Sequence, residues 1–201
     1  SVGANPWKVG ALNTDFTFDG SITGTGTIFE KLGTGMMTMK GASDFTGKAT
    51  ISAGAVCLNK GAITKGMLGT GALSVAKGAT LCGTGMLENS SITIADGALL
   101  RPGIKENSTS GTLKFGNHNV MISAGATLRF YIGSRSLYTK LTDVGTLSLR
   151  GTVKVELRDD VELQEGDEFQ LWTSSNTTTS ATTVFEIDSI GGGLVWDTSD
   201  I

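Results

Sequence analysis

The chain has 201 residues, 39% of them hydrophobic and 17% charged, with a mean hydropathy of +0.07. That is enough apolar material for a packed core, which excludes a disordered tail, and a net charge of -3 gives no electrostatic reason to expect nucleic acid. Twenty-nine glycines against two prolines, with no collagen period, read as many short strands joined by tight turns.

Strand signals follow one another from the start, each alternating apolar with polar residues. Phe16–Phe18, Thr27–Leu32, Met37–Met39 and Ala49–Ile51 come first, followed by Ala72–Ala76 and Ile92–Ile94. Then come Leu113–Phe115, Val120–Ile122 and Thr127–Ile132. No segment keeps a helical period. Two phrases interleave with these strands. Gly-x-Gly recurs at Gly24–Gly26, Gly33–Gly35, Gly69–Gly71 and Gly83–Gly85, and Gly-Ala with apolar residues recurs at Gly54, Gly78, Gly97 and Gly125. Hairpin dipeptides such as Asn-Gly are scarce, so the glycines read as the same sharp corner taken once per coil. Stacked coils of this kind predict an all-β, right-handed single-stranded parallel β-helix, a solenoid, in preference to a sandwich.

After Arg150 the character changes. From Gly151 onward eleven acidic residues accompany only Lys154 and Arg158. Longer strands, Thr146–Arg150 and Thr152–Leu157, and larger aromatics suggest a less regular C-terminal cap. Glu165–Trp172 reads as a turn and strand, Phe185–Ile187 and Leu194–Trp196 as shorter strands, and Asn176–Thr183 as a low-complexity surface loop. The expected organisation is one domain over 1–201, with repetitive coils over 1–150 and broader terminal coils over 151–201. Both ends read as cuts within a longer polypeptide, and no apolar run is long enough to span a membrane.

Chemistry-bearing residues are sparse. His118 is the single histidine and sits in the polar stretch Gly116-Asn-His-Asn119, which favours a surface turn over catalysis. The carboxylates before Arg150 are scattered; Asp15 with Asp19, and Asp159-Asp160 with Glu162, read as solvated turns rather than a cation site. The Gly-x-Gly phrases lack the lysine and the following helix of a phosphate loop. Cys57 and Cys82 stand one repeat apart, so adjacent coils can bring them together; two free, partly buried thiols are the default, and a disulfide is the alternative. No cofactor is implied.

The run Gly24-Thr-Gly26, Lys31-Leu-Gly33-Thr-Gly35, Met37-Thr-Met39-Lys-Gly41, Phe45-Thr-Gly47, Ile51 and Gly54 resembles the autotransporter-associated β-strand repeat. This copy has one extra residue before Lys31 and methionines where leucine is usual. Gly78–Gly85, Ile94–Gly103 and Ser110–Leu113 resemble the same family's passengers. The resemblance implies a β-helical stalk in a large secreted or surface-anchored bacterial protein, with no catalytic residues to carry over. Its partners would be other domains of the same polypeptide.

Aromatic residues supply the competing expectation. Tyr131, Trp172 and Tyr138 are candidate contacts for a cell-surface or dietary glycan, because alternation places Phe130 and Tyr131 on opposite faces and leaves one for solvent. Packing in the core and cap is the plainer account of the same rings. The leading expectation is a non-catalytic structural or presentation domain. An accessory carbohydrate-binding module of a polysaccharide-acting enzyme comes second, and a β-helical polysaccharide-degrading enzyme third.

Overall fold

A computed structural model of the protein describes residues 6–59, 65–105, 110–158, 161–190 and 195–197. Sixteen strands occur among them, with no helix. The first eight are β1 (Trp7–Val9), β2 (Phe16–Phe18), β3 (Phe29–Lys31), β4 (Met36–Met39), β5 (Ala49–Ile51), β6 (Ala55–Asn59), β7 (Leu73–Val75) and β8 (Thr80–Met86). The rest are β9 (Ser91–Ile94), β10 (Leu99–Pro102), β11 (Gly111–Ile122), β12 (Thr127–Ile132), β13 (Thr139–Leu149), β14 (Thr152–Leu157), β15 (Trp172–Thr179) and β16 (Val184–Ile187).

Odd strands stack on odd and even on even, always in parallel. Each coil therefore contributes one strand to each of two faces, and β8 links the faces by also pairing with β11. The result is a parallel β-helix. Parallel pairing of consecutive coils fits the long connection between one strand and the next on the same face, whereas hairpins would require reversals the turn residues do not supply.

The core is a set of columns running along the stack. On the odd face Phe29, Ala49, Leu73, Ile92, Val120 and Leu147 are successive register partners, and on the even face Met37, Val56, Leu81, Leu100, Leu128 and Val153 are. All twelve are buried. A third, largely non-strand stretch of the early coils adds Ile22, Phe45, Leu68 and Leu87. The last odd strand ends the pattern: Leu147 and Leu149 are followed in their columns by Thr177 and Thr179.

Stacked partners are separated by 19 to 25 residues as far as Leu100 and by 25 to 32 beyond it. Coils thus lengthen from about β11, well before the boundary expected at Arg150. There the third stretch itself becomes strand. β11 and β13 run through the corner as long strands, with register shifts near His118 and Val144. Asn117 and Asp143 take φ of 62° and 57° at those bends, a left-handed conformation that short polar side chains tolerate.

Several local expectations need correction. Asn176–Thr183 is not simply a loop: its first four residues belong to β15, because the backbone of β13 offers an unpaired edge that threonines fit well. Glu165–Leu171 contains a turn but no strand, leaving Trp172 as the start of β15. Gly83-Thr-Gly85 lies inside β8 and is still a corner: Gly83 pairs on the even face with Leu58 and Pro102, Gly85 pairs on the odd face with Leu113, and they take φ of 116° and 155°. Gly83 packs against the Leu58 backbone so closely that a side chain has no room. Gly69-Thr-Gly71 is a corner as expected. Gly69 has φ +69°, and a Cβ on Gly71 would strike the Gly47 carbonyl of the preceding coil. The apolar residues after each Gly-Ala form the even-face strands β6, β8, β10 and β12, of which only β12 was expected as a strand. Asp159, Asp160 and Leu194 lie outside the described residues.

Candidate functional site

Outward residues of a β-helix normally meet water, but one column of the even face does not. Thr38, Cys57, Cys82 and Arg101 are successive register partners on β4, β6, β8 and β10, alternating with the inward leucine column. Cys57 and Cys82 are 0% and 1% exposed, and Arg101 is 7% exposed. Both cysteines are free thiols.

What covers them is the chain leaving β10. Gly103 turns back to form an antiparallel bridge with Gly83, the reverse of every strand pairing around it. Ile104 and Lys105 then lie across the column as a strap. The Cys57 thiol donates to the Ile104 carbonyl at 3.3 Å, and the Arg101 guanidinium donates to the carbonyls of Gly103 (3.5 Å) and Lys105. The strap thus gives a buried guanidinium its acceptors, as a buried cation requires.

The two thiols also shift each other's ionisation in opposite directions. Donation from Cys82 to the Cys57 sulfur pulls the Cys57 pKa below the ordinary thiol value despite burial, and the charge of Arg101 adds to the effect. The same hydrogen bond, with burial, pushes the Cys82 thiol far up. One sulfur of the pair is therefore favoured as the anion and the other as its donor, which is how a dithiol next to a fixed cation separates its roles.

Further along the same face, Arg129, Tyr131, Lys154 and Glu156 form a second cluster. Arg129 pairs in register with Lys154, and Tyr131 with Glu156. Lys154 Nζ lies 2.7 Å from Glu156 Oε1, and Arg129 Nε lies 3.9 Å from it. Burial opposes ionisation of Glu156, but hydrogen bonds from Lys154 and Tyr131, with the charges of Arg129 and Lys154, outweigh it and hold the carboxyl below its usual value. Burial, and donation to Glu156, raise the Tyr131 pKa.

These contacts place the three aromatics expected to meet a glycan. Tyr131 does point outward, yet it is only 7% exposed, so neither it nor the inward Phe130 is left for solvent. Its ring is bound into the Arg129–Glu156 cluster, and its backbone N–H donates to Thr139 Oγ1 at 2.9 Å as the chain folds back. Trp172 stacks on Phe130 at 6.1 Å between centroids, and its indole N–H donates to Thr177. Tyr138 meets the edge of Phe169 at 5.4 Å, with the Lys140 ammonium 5.8 Å from its ring centre. The three rings serve separate packing contacts and form no shared platform.

His118 is half-buried at the β11 bend rather than on a free turn. Asp15 and Asp19 do not meet over a cation: Asp15 accepts the Met36 N–H at 2.7 Å, and Asp19 pairs with Lys40 at 3.5 Å. Among the described residues no three His, Cys, Asp or Glu side chains gather as a metal site.

Two buried cations had no role assigned from the sequence. Arg101 lies in the run Ile94–Gly103, and its place beside the cysteines depends on unequal coil lengths. Lys31 occupies the inward column of Val9, Ile51, Val75, Ile94, Ile122 and Leu149, which ends at Thr179. It is fully buried, and its ammonium donates to the carbonyls of Leu32 (2.7 Å), Gly33 (3.0 Å) and Ala53 (3.4 Å) at the corner. Burial lowers its pKa. A lysine between the Gly24–Gly26 and Gly33–Gly35 phrases, alternating in step with Phe29, was the available signal. Compared with models of known families and with curated proteins, the chain matches none.

Proposed function

We propose that this chain is a non-catalytic stalk or presentation domain of a large secreted or cell-surface protein, working by holding other parts of the same polypeptide at a distance. The observation that carries the reading is the continuous stack of eight parallel strands on each of two faces around one apolar core. At about 4.8 Å per coil such a stack extends roughly 35 Å, and it lengthens simply by adding coils. The resemblance to the autotransporter-associated repeat supports the same role and the extracellular setting.

Surface chemistry supports it too. The outward column of the odd face reads Glu30, Thr50, Ser74, Thr93, Met121, Ser148 and Thr178, largely short hydroxyls without a clustered catalytic set. Among the described residues, the first coil leaves Trp7 45% exposed and Val9, Phe16 and Phe18 half-buried, an apolar end that a neighbouring domain would cover.

The test is a glycan array on the purified chain, with Trp172→Ala and Tyr138→Ala as controls. The stalk reading expects no reproducible binding. A glycan retained by the parent protein and lost in either variant would instead establish the carbohydrate-binding module.

A further inference from the structure

Cys57 and Cys82 are register partners on adjacent parallel strands. Such partners lie about 4.8 Å apart along the stack, inside the range of about 4.4–6.8 Å between Cα atoms that a disulfide spans. Both side chains leave the same face of the sheet, and both are buried, at 0% and 1% exposed. Arg101 stands next in the column, so a thiolate at Cys57 has a fixed positive neighbour. That cation also argues against a soft metal ion as the occupant, since it repels what the thiols would bind.

We propose that Cys57 and Cys82 are a redox-active dithiol that closes to a disulfide joining two successive coils. The co-reactant is a low-molecular-weight disulfide. The Cys57 thiolate attacks one of its sulfurs, the S–S bond breaks, and one thiolate leaves, giving a mixed disulfide on Cys57. Cys82 then loses its proton and attacks the Cys57 sulfur, expelling the second thiolate. The two protons lost by the cysteines end on the two small thiols released, so two electrons pass from the protein pair to the reagent. Because Cys57 no longer carries a proton, its hydrogen bond to Ile104 disappears, and the described hold on the strap passes to Arg101.

The strap covers both sulfurs, so the experiment has two arms. Folded protein is incubated with oxidised glutathione, and a second sample is unfolded in denaturant and refolded in a glutathione redox buffer, where the thiols pair before or as the strap settles. The expected product in at least the refolded arm has no alkylatable thiol and an intact mass about 2 Da lower. Its thermal midpoint should rise by about 5 °C relative to the reduced protein. Cys82→Ser should stop at the mixed disulfide on Cys57, with about 305 Da added. Two alkylatable thiols in both arms would overturn the proposal. So would a parent protein that stops at a glutathione adduct on Cys57 with Cys82 free, because the second attack would then be out of reach. Serine is close to cysteine in size, so folding of the variant is checked by circular dichroism before its mass is read.

Discussion

Lys31 shows how a single side chain can serve a corner. A fully buried lysine is costly, and this one is held by the backbone carbonyls of three half-buried corner residues. Lys31→Met keeps most of the stem and removes only the donors. It should cost about 1–3 kcal/mol in urea denaturation, the penalty of leaving acceptors unsatisfied. A neutral or stabilising result would mean that the carbonyls find other donors. Glu156 makes a prediction in pH. Its folded pKa lies below the value of 4.5 taken for the free side chain, so in that interval the unfolded chain binds more protons. Stability from Glu156 is therefore complete above 4.5 and is lost as pH falls through the folded value. Glu156→Gln should flatten the acid limb of a plot of urea midpoint against pH between about pH 6 and about pH 3. An unchanged acid limb would show that the cluster does not distinguish the two charge states.

At the scale of elements, coil corners and strand columns impose different demands. The second glycine of Gly69-Thr-Gly71 is required by contact, since its missing side chain is where the Gly47 carbonyl of the coil below sits. Gly71→Ala should separate two coils locally and destabilise by about 1–3 kcal/mol, the range of overpacking, read as a lower denaturation midpoint. Much of this level was legible in advance. Alternation in Phe16–Phe18, Ala49–Ile51, Thr127–Ile132 and Thr152–Leu157 located strands correctly, because a half-buried strand must alternate. The strands after Gly-Ala were harder. In Ala55–Asn59 the outward Cys57 is buried too, so the pattern became a continuous apolar run and lost its period, and in Leu99–Pro102 four residues are too few to show one. Of the candidate site, the pairing of Cys57 with Cys82 was legible from their spacing, but its cover was not, because it comes from a strap, which no periodicity announces.

For the whole molecule, each coil contacts mainly its two neighbours, so protection should depend on position in the stack. Hydrogen exchange should be slowest in the middle strands, β5 to β12, and fastest in β1, β2, β15 and β16, which have a coil on one side only. Uniform protection from end to end would mean that the stack unfolds as one cooperative block. The sequence by itself determined the class of fold, because recurrent glycine corners and alternating strands leave stacking as the way to bury the apolar faces. It also determined that Cys57 and Cys82 belong to neighbouring coils. Only the tertiary structure decided that Arg101 joins them, that a strap seals them, that Lys31 lies inside, and that Tyr131 is closed to solvent. Those outcomes depend on register between coils of unequal length and on what crosses over a face. Spacing along one strand carries the first kind of information, and contacts between distant segments carry the second.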